Sequence, residues 1–344
     1  MGTLTVAGEK IESGCQKVIP INVTQDLVSS IDIHAHVICG KEDGPTLLLL
    51  SMLHGEEWLS VLIFKELVKR VDVNKLKGNI IAVPVCNPTS MLTGSRCVLD
   101  NSDEPDANRA FAGKFQWITN QITNAISDNL FTVSDYLIDY HIGGWGATMA
   151  DAMYCEGGGA DNSISIQSKH MAMAYGNPVL HVLDVEDAPR TSIGHACLRY
   201  KIPGIVAEIG GIGFGFKQES DWLEKNLVGI DNVMRYLKMS EGPVLFNEKY
   251  LVTYDYWRVS PANGGYLETA VGLDRQFTEV KKREVLARII DPIKFELIEE
   301  LKSPGKGLIF YMCRSAMIRP GGWGFGIVNL ENDRNKWIDP PINL

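Results

Sequence analysis

The stretch that decides the fold reads LLLLSMLHGEE and spans residues 47–57. Its unbroken aliphatic run follows Gly44–Pro45, which is typical of a buried central strand. From Trp58 to Val71 the apolar residues return at helical spacing. His54 and Glu57 are therefore predicted in the turn between a strand and a helix, where open α/β sheets bind their ligands.

The pair His54 and Glu57 has the residue types of a metal site. A histidine and a carboxylate three positions apart on such a turn can converge on one ion, and a distant third ligand would leave a zinc ion one free coordination position. His-x-x-Glu also arises by chance, most often at a solvated helix start. The pattern therefore indicates metal binding only in combination with other residues.

Length and charge limit the class of protein. At 344 residues the chain exceeds the size at which a single core usually stops growing, so one large domain with a smaller one is expected. A net charge of -9 without a basic patch argues against a nucleic-acid surface. It does not argue against a small anionic substrate, which a few arginines can hold.

Cysteine usage and the N-terminal segment indicate the compartment. The seven cysteines form no Cys-x-x-Cys pair and their number is odd, which favours reduced thiols over a disulfide framework. Residues 1–6 show neither the basic nor the apolar part of a signal peptide, and no apolar stretch approaches membrane-spanning length. We predict a soluble cytoplasmic protein without membrane contact, and the alternative of a homo-oligomer stays open.

Strand and helix patterns alternate up to about residue 239. This alternation predicts an α/β fold with a mixed, mostly parallel sheet and helices on both faces. Residues 1–45, by contrast, are predicted as short strands and turns. We assign residues 1–242 to a catalytic domain that includes this N-terminal β segment.

The pattern changes after Ser240–Pro243. From there the sequence consists of short apolar runs separated by glycine and proline, which predicts a smaller all-β domain over residues 243–344. Its strands are predicted at residues 251–253, 265–267, 285–290, 308–311 and 326–328.

Further reactive side chains lie at other predicted strand ends and in one loop. His141 and Glu208 each lie near the end of an apolar strand. A long polar loop after Asn87–Pro88 carries Arg96 and leads to Arg109. Long loops without regular structure are usually functional or disordered, and the arginines favour function.

If the strands are parallel neighbours, these side chains point to one rim of the sheet. His54, Glu57 and His141 would then form a His₂Glu zinc site with water in the fourth position. Glu208 suits the role of a base that takes a proton from the water. The two arginines could hold a carboxylate bidentately or stabilise an oxyanion.

Five motifs now carry a resemblance to a known family. They occur in the order seen in zinc carboxypeptidase-like enzymes, and the chain more closely resembles the succinylglutamate desuccinylase/aspartoacylase family. The motifs are His54–Glu57, Asn87–Pro88 with Arg96, Asp106–Phe111, Asp139–Gly143 and Ala207–Gly210. Enzymes of that family cleave the amide of N-acylated amino acids and carry a β-rich C-terminal domain that partly covers the active site.

The resemblance implies a role for each matched residue. It implies one zinc ion per chain, held by His54, Glu57 and His141, with Glu208 as the general base. By the same resemblance Arg96 polarises the scissile carbonyl, while Asn108 and Arg109 clamp the substrate carboxylate. The chain departs from the family pattern in having Asp-Ala-Asn-Arg where Asp-Leu-Asn-Arg is usual, and in a long acidic loop between Arg96 and Asp106.

Other histidines are interpreted as structural. His34 and His36 lie two positions apart on one strand face, and we favour sheet-face residues over metal ligands. His181 lies within an apolar strand, which indicates a core histidine with its hydrogen bonds satisfied.

Three functional hypotheses follow. The first is a zinc-dependent amidohydrolase that cleaves a small N-acyl amino acid or similar carboxylate-bearing amide with metal-activated water. The second is a metallocarboxypeptidase that trims peptide C-termini. The third is a metal-binding or ligand-binding homologue that has lost catalysis.

Overall fold

The computed structural model describes residues 3–25, 27, 29–97, 106–114, 117–144, 146–149, 151–157, 162–314 and 316–341. The strands before residue 210 are β1 (Leu4–Val6), β2 (Glu9–Ile11), β3 (Gln16–Gln25), β4 (Ser30–Cys39), β5 (Glu42–Ser51), β6 (Lys77–Val83), β7 (Tyr136–His141), β8 (Ala147–Met149), β9 (Ala152–Glu156), β10 (Val179–Asp184) and β11 (Gly204–Glu208). The remaining strands are β12 (Tyr250–Thr253), β13 (Tyr256–Val259), β14 (Gly265–Thr269), β15 (Glu279–Val280), β16 (Val285–Ile290), β17 (Leu297–Lys302), β18 (Gly307–Cys313), β19 (Ala316–Ile318), β20 (Phe325–Asn329) and β21 (Lys336–Ile338). The α-helices are α1 (Leu59–Arg70), α2 (Pro88–Thr93), α3 (Ile118–Asn129), α4 (Ser163–Tyr175), α5 (Ser192–His195) and α6 (Phe216–Tyr236).

A ten-stranded mixed sheet forms the centre of the molecule. Its order is β21-β12-β10-β9-β11-β7-β5-β6-β4-β3. The pairs β12–β10, β10–β9, β11–β7, β7–β5 and β5–β6 are parallel, and the other four are antiparallel. The predicted mixed, mostly parallel sheet is confirmed.

The aliphatic run in β5 is buried on both faces of this sheet. Leu47 and Leu49 belong to the core under α1, α4 and α6, whereas Leu48 and Leu50 belong to the core under α3 and α5. Successive side chains of a strand point to opposite faces, so an unbroken apolar run suits a strand covered by helices on both sides. Helices therefore cover both faces, as predicted.

The N-terminal segment is more regular than predicted. β3 and β4 have ten residues each and form an antiparallel hairpin that completes one edge of the large sheet. His34 on β4 is exposed and His36 is partly buried. Both residues lie on a paired strand of the large sheet, which confirms their interpretation as sheet-face residues.

The C-terminal segment forms two smaller antiparallel sheets with their own core. One sheet contains β13, β20, β18 and β15 with β8 alongside, and the other contains β17, β16, β14 and β19. The predicted β-rich C-terminal part is thus confirmed. In the described part of the chain no helix is both long and apolar enough to cross a lipid bilayer.

One predicted strand lies in a different sheet from the one expected. β12, predicted at residues 251–253 as part of the all-β domain, pairs in parallel with β10 of the large sheet, and β21 adds to its outer side. All four residues of β12 are buried. Pairing with the edge of the large sheet gives the backbone of β12 hydrogen-bond partners and shields its side chains from solvent. A division at residue 242 remains a prediction.

Candidate active site

His54 and Glu57 lie directly after the central strand. β5 ends at Ser51 and α1 begins at Leu59, so both side chains lie in the connecting turn at the carboxyl end of the strand. Gly55 is required there, because a Cβ would lie 2.1 Å from the backbone of Ser90. The close approach fixes the turn, and both His54 and Glu57 are buried.

Glu57 lies between two imidazoles. Its Oε1 is 2.8 Å from His54 Nδ1, and its Oε2 is 2.8 Å from His141 Nδ1. One ligand atom from each of the three side chains lies within 4.8 Å of the others. The fold therefore brings together the three residues that the sequence analysis named as metal ligands.

The outer nitrogen of each imidazole also faces a carboxylate. His54 Nε2 is 3.0 Å from Asp106 Oδ1, and His141 Nε2 is 3.0 Å from Asp139 Oδ2. Carboxylates commonly orient metal-binding histidines in this way. From the sequence alone these two acids had no assigned role, although the i, i+2 spacing of Asp139 and His141 on one strand face indicates that the two side chains are neighbours.

Electrostatics within the cluster favour ionised groups. Burial alone would raise the pKa of Glu57, but the charges and hydrogen bonds of the imidazoles hold that pKa well below its ordinary value. Burial likewise disfavours charge on His141, yet Asp139 and Glu57 raise the pKa of its imidazole well above the ordinary value. The cluster thus holds positive charge between its carboxylates.

This donor set fits a divalent cation. A neutral imidazole donates from one nitrogen only, whereas both nitrogens of His54 and of His141 face carboxylates. With protons on the Nε2 atoms directed at Asp106 and Asp139, both Nδ1 lone pairs are available to one ion beside Glu57. Two imidazole nitrogens and one carboxylate are the protein ligands of many catalytic zinc sites.

Glu208 ends β11, next to the strand of His141. The two residues are register partners across the parallel pair β11–β7. Burial raises the pKa of Glu208 to about 8, with Asp151 and Glu57 adding to the rise and His141 opposing it. Its Oε2 is buried and has no hydrogen-bond partner among the described residues, so the carboxyl group is available to a ligand.

The two predicted arginines lie on the loop side of the cluster. Arg96 Nη1 is 3.3 Å from His54 Nδ1, and its Nη2 donates to Asp106 at 3.2 Å. Arg109 is exposed and donates to the carbonyl of Asn108 at 2.6 Å. Both guanidinium groups line the same pocket as the His–Glu–His cluster.

Asn108 is bound mainly by the protein itself. Its Oδ1 accepts the backbone N–H of Ser192 at 2.8 Å, and its Nδ2 lies 3.1 Å from His141 Nε2. The side chain therefore lies against a predicted metal ligand, and Asn108 lines the pocket with an amide group that can donate hydrogen bonds. The long acidic loop before Asp106, at residues 98–105, lies outside the described residues.

These groups line one pocket of about 410 Å³. The C-terminal segment contributes an aromatic wall made of Tyr256, Trp323 and Tyr311, whose neighbouring rings stack at interplanar angles of 15° and 16°. From the sequence, Tyr256 and Tyr311 had no assigned role, because no local pattern places the β strands over the sheet.

His181 differs from its sequence interpretation. It is buried, as predicted, but it lines the pocket, and its Nε2 has no hydrogen-bond partner among the described residues. The prediction of a fully satisfied core histidine was therefore wrong. An apolar strand sequence cannot reveal that one of its faces lines a cavity.

The mixed sheet and the buried His–Glu–His cluster at the carboxyl ends of its strands define an α/β protein with a candidate metal site. The family model described as the succinylglutamate desuccinylase/aspartoacylase catalytic domain matches residues 43–237. The chain belongs to the succinylglutamate desuccinylase/aspartoacylase family.

Individual relatives agree with this assignment. The chain is 24% identical over 298 residues to the N-alpha-acetyl-L-2,4-diaminobutyric acid deacetylase of Halomonas elongata, covering 84% of this chain and 82% of that protein. The product-bound ectoine utilization protein EutE (DoeB) from Ruegeria pomeroyi superposes with a TM-score of 0.76 at 20% identity, over 92% of this chain and 97% of that one. A succinylglutamate desuccinylase from Silicibacter sp. TM1040 gives a TM-score of 0.76 at 19% identity, over 93% and 97% of the two chains. The structural matches show the fold.

Proposed function

We propose that this protein is a zinc-dependent deacylase that hydrolyses the amide bond of a small N-acyl amino acid. The observation that carries the proposal is the buried cluster in which Glu57 lies 2.8 Å from the Nδ1 atoms of both His54 and His141, with Glu208 on the neighbouring strand. Membership of the family and a deacetylase relative support the reaction class.

His54, Glu57 and His141 would hold one zinc ion per chain. When bound, zinc supplies a Lewis acid that lowers the pKa of water and polarises the acyl carbonyl. Asp106 and Asp139 orient the two imidazoles through their outer nitrogens, so the ligand atoms are arranged before any ion arrives.

Glu208 serves as the general base. It accepts a proton from the attacking water and passes that proton to the departing amine. A carboxyl group can do both only if its protonated and ionised forms are close in free energy. Burial, which raises the pKa of Glu208 to about 8, provides this balance.

The arginines bind the charged parts of substrate and transition state. Arg96, beside His54, stabilises negative charge on the acyl oxygen, as a preorganised donor does in an oxyanion hole. Arg109 lies at the exposed side of the pocket and, with Asn108, binds the carboxylate of the amino acid.

The experiment that tests this function is a substrate panel assayed with and without a chelator. We expect release of free amine from N-acetyl amino acids, loss of that activity on chelation, and recovery on addition of zinc. Release of C-terminal residues from blocked peptides in place of this activity would favour a metallocarboxypeptidase. Absence of any amide hydrolysis by the zinc-loaded protein would favour a binding protein without catalysis.

A further inference from the structure

One of the two C-terminal sheets, with the order β17-β16-β14-β19, has an inner and an outer face. Leu267 on β14 and Ile289 on β16 are buried in the C-terminal core, so they mark the inner face. Tyr266 and Ile290 lie on the outer face, because successive side chains of a strand point to opposite sides. A sheet face in contact with water is usually polar, yet Tyr266 is exposed there.

The outer face carries an apolar row that crosses all four strands. Its members are successive register partners: Met317, Tyr266, Ile290 and Leu297. Directly opposite residues of an antiparallel pair have Cβ atoms about 5 Å apart, so the row is continuous over about 15 Å. Met317 and Leu297, on the two edge strands, are exposed. The row is therefore one contiguous apolar strip.

The hairpin between β16 and β17 extends this strip. Ile293 and Phe295 lie in its turn, between Ile290 and Leu297, and are 85% and 82% exposed. Asp291 holds the turn, since its Oδ1 accepts two backbone N–H groups, the closer at 2.8 Å. Phe295 has a φ of +60°, in the left-handed region where a bulky residue is strained and glycine is not. Backbone strain of this kind clusters at functional sites, which indicates a use for the exposed ring.

The strip and the turn together have the area of a protein interface. We define the outer-sheet patch by six side chains: Tyr266, Ile290, Ile293, Phe295, Leu297 and Met317. Five of the six are between 40% and 85% exposed. With about 200 Å² for each fully exposed large side chain, the patch offers on the order of 650 Å² to solvent. Monomers rarely expose contiguous apolar areas above a few hundred Å². A stable interface buries about 800 Å² per partner, a little over half of it apolar, so the patch supplies the apolar part of such an interface.

Charged residues border the patch along the strands. The next outward positions are Glu268, Arg288 and Glu300, which are again register partners. Arg288 Nε lies 3.6 Å from Glu300 Oε1. An apolar centre with a polar rim of both signs is typical of a protein interface, whereas a surface that lies on an anionic membrane is rich in lysine and arginine. The border therefore favours a protein partner.

We propose that the outer-sheet patch is the contact between two copies of this chain related by a two-fold axis. An apolar row on a sheet face is complementary to a second copy of itself, since two sheets pack face to face about 10 Å apart with their side chains interdigitated. A two-fold contact buries the same patch on both copies, so both apolar strips leave water together. Because the rim contains two acids and an arginine, opposite charges can meet across the axis. The inference does not depend on the proposed deacylase function, since none of the six side chains lines the pocket.

Sedimentation velocity over a range of protein concentrations tests the proposal. Interfaces of standard size have dissociation constants in the micromolar range or below, so we expect a dimer at about 50 µM. Phe295→Asn removes the ring but suits the left-handed backbone, so the hairpin should keep its fold. Loss of an aromatic anchor should raise the Kd of the dimer by at least about 30-fold. Phe216→Asn is the matched control, since Phe216 is 89% exposed at the start of α6, outside the patch, and its loss should leave the Kd unchanged.

A second variant examines the strip apart from the hairpin. Met317→Lys lies on β19, at the end of the row opposite to β17. It places an unpaired charge in the contact, so the Kd should rise by at least about tenfold. Far-ultraviolet circular dichroism should show the wild-type spectrum for both variants, because neither side chain belongs to the core.

Three results would overturn the proposal. The first is a wild-type chain that stays monomeric at about 100 µM. The second is a dimer that Phe295→Asn and Met317→Lys leave as tight as the wild type, because the contact then lies elsewhere. The third is a monomer that binds vesicles of phosphatidylcholine and phosphatidylserine and loses this binding in Phe295→Asn, which would make the patch a membrane contact.

Discussion

Glu208 and His141 are register partners on adjacent parallel strands, β11 and β7. The proposed base and one proposed metal ligand are therefore fixed relative to each other by backbone hydrogen bonds of the sheet. Functional sites whose residues lie on helices and strands keep their geometry better than sites whose residues lie on loops. Because the position of Glu208 is fixed in this way, its proposed role as the base can be tested directly by mutagenesis.

Glu208→Gln should abolish turnover without loss of metal. The amide keeps the shape of the side chain but cannot accept a proton, so kcat should fall by about 10² to 10⁴. Hydrolysis of an N-acetyl amino acid and zinc content per chain are the measurements. The base assignment would be wrong if the variant kept more than a tenth of the wild-type rate while holding one zinc.

Asp139→Asn should weaken metal binding. Asp139 lies 3.0 Å from His141 Nε2 and is also hydrogen-bonded by the Ser192 hydroxyl, so it holds the imidazole in place. Loss of such a supporting carboxylate typically costs about 10- to 100-fold in metal affinity. Competition with a chromogenic chelator measures the affinity. Asp43→Asn, an exposed change at the opposite end of β5, is the control and should bind zinc as the wild type does.

Arg109→Ala should mainly weaken the binding of carboxylate-bearing substrates. Removing a charge-assisted hydrogen bond to the carboxylate should raise KM by about tenfold or more, with a smaller effect on kcat. The same N-acetyl amino acid with its carboxylate converted to an amide provides the control, because the variant and wild type should treat it alike. An unchanged KM for the acid would remove the clamp role of Arg109.

Zinc binding should release protons. In the metal-free protein Asp139 and Glu57 raise the pKa of His141 well above its ordinary value, so its imidazole carries a proton at pH 7 that a metal ligand must lose. Calorimetric titrations in buffers of different ionisation enthalpy should give at least one proton released per zinc. Binding enthalpies independent of the buffer would show that His141 gives up no proton.

Much of this arrangement could be predicted from the sequence, since it depends on local patterns. The apolar run before His54 predicts the central strand. Similar apolar runs before His141 and Glu208 predict that these two residues also lie at strand ends. Parallel neighbours place their carboxyl ends at one rim, which is why residues 154 positions apart, such as His54 and Glu208, could be assigned to one site.

The remaining features depend on long-range pairing. Residues 250–253 have the apolar character of any buried strand, and nothing local reveals that they join the large sheet beside β10. The partner of His181 is Asp151 near β9, and its stacking ring, Tyr256, comes from a strand far along the chain. Such contacts follow from strand order and register, which a single sequence leaves open.

The central claim is that one zinc ion, held by His54, Glu57 and His141, is required for amide hydrolysis. Its most direct test is a titration of zinc into chelator-treated protein while hydrolysis of an N-acetyl amino acid is followed. We predict no activity before zinc is added and a linear rise that ends at one equivalent per chain. Full activity in the metal-free protein, or a rise that shows no break at one equivalent, would contradict the claim.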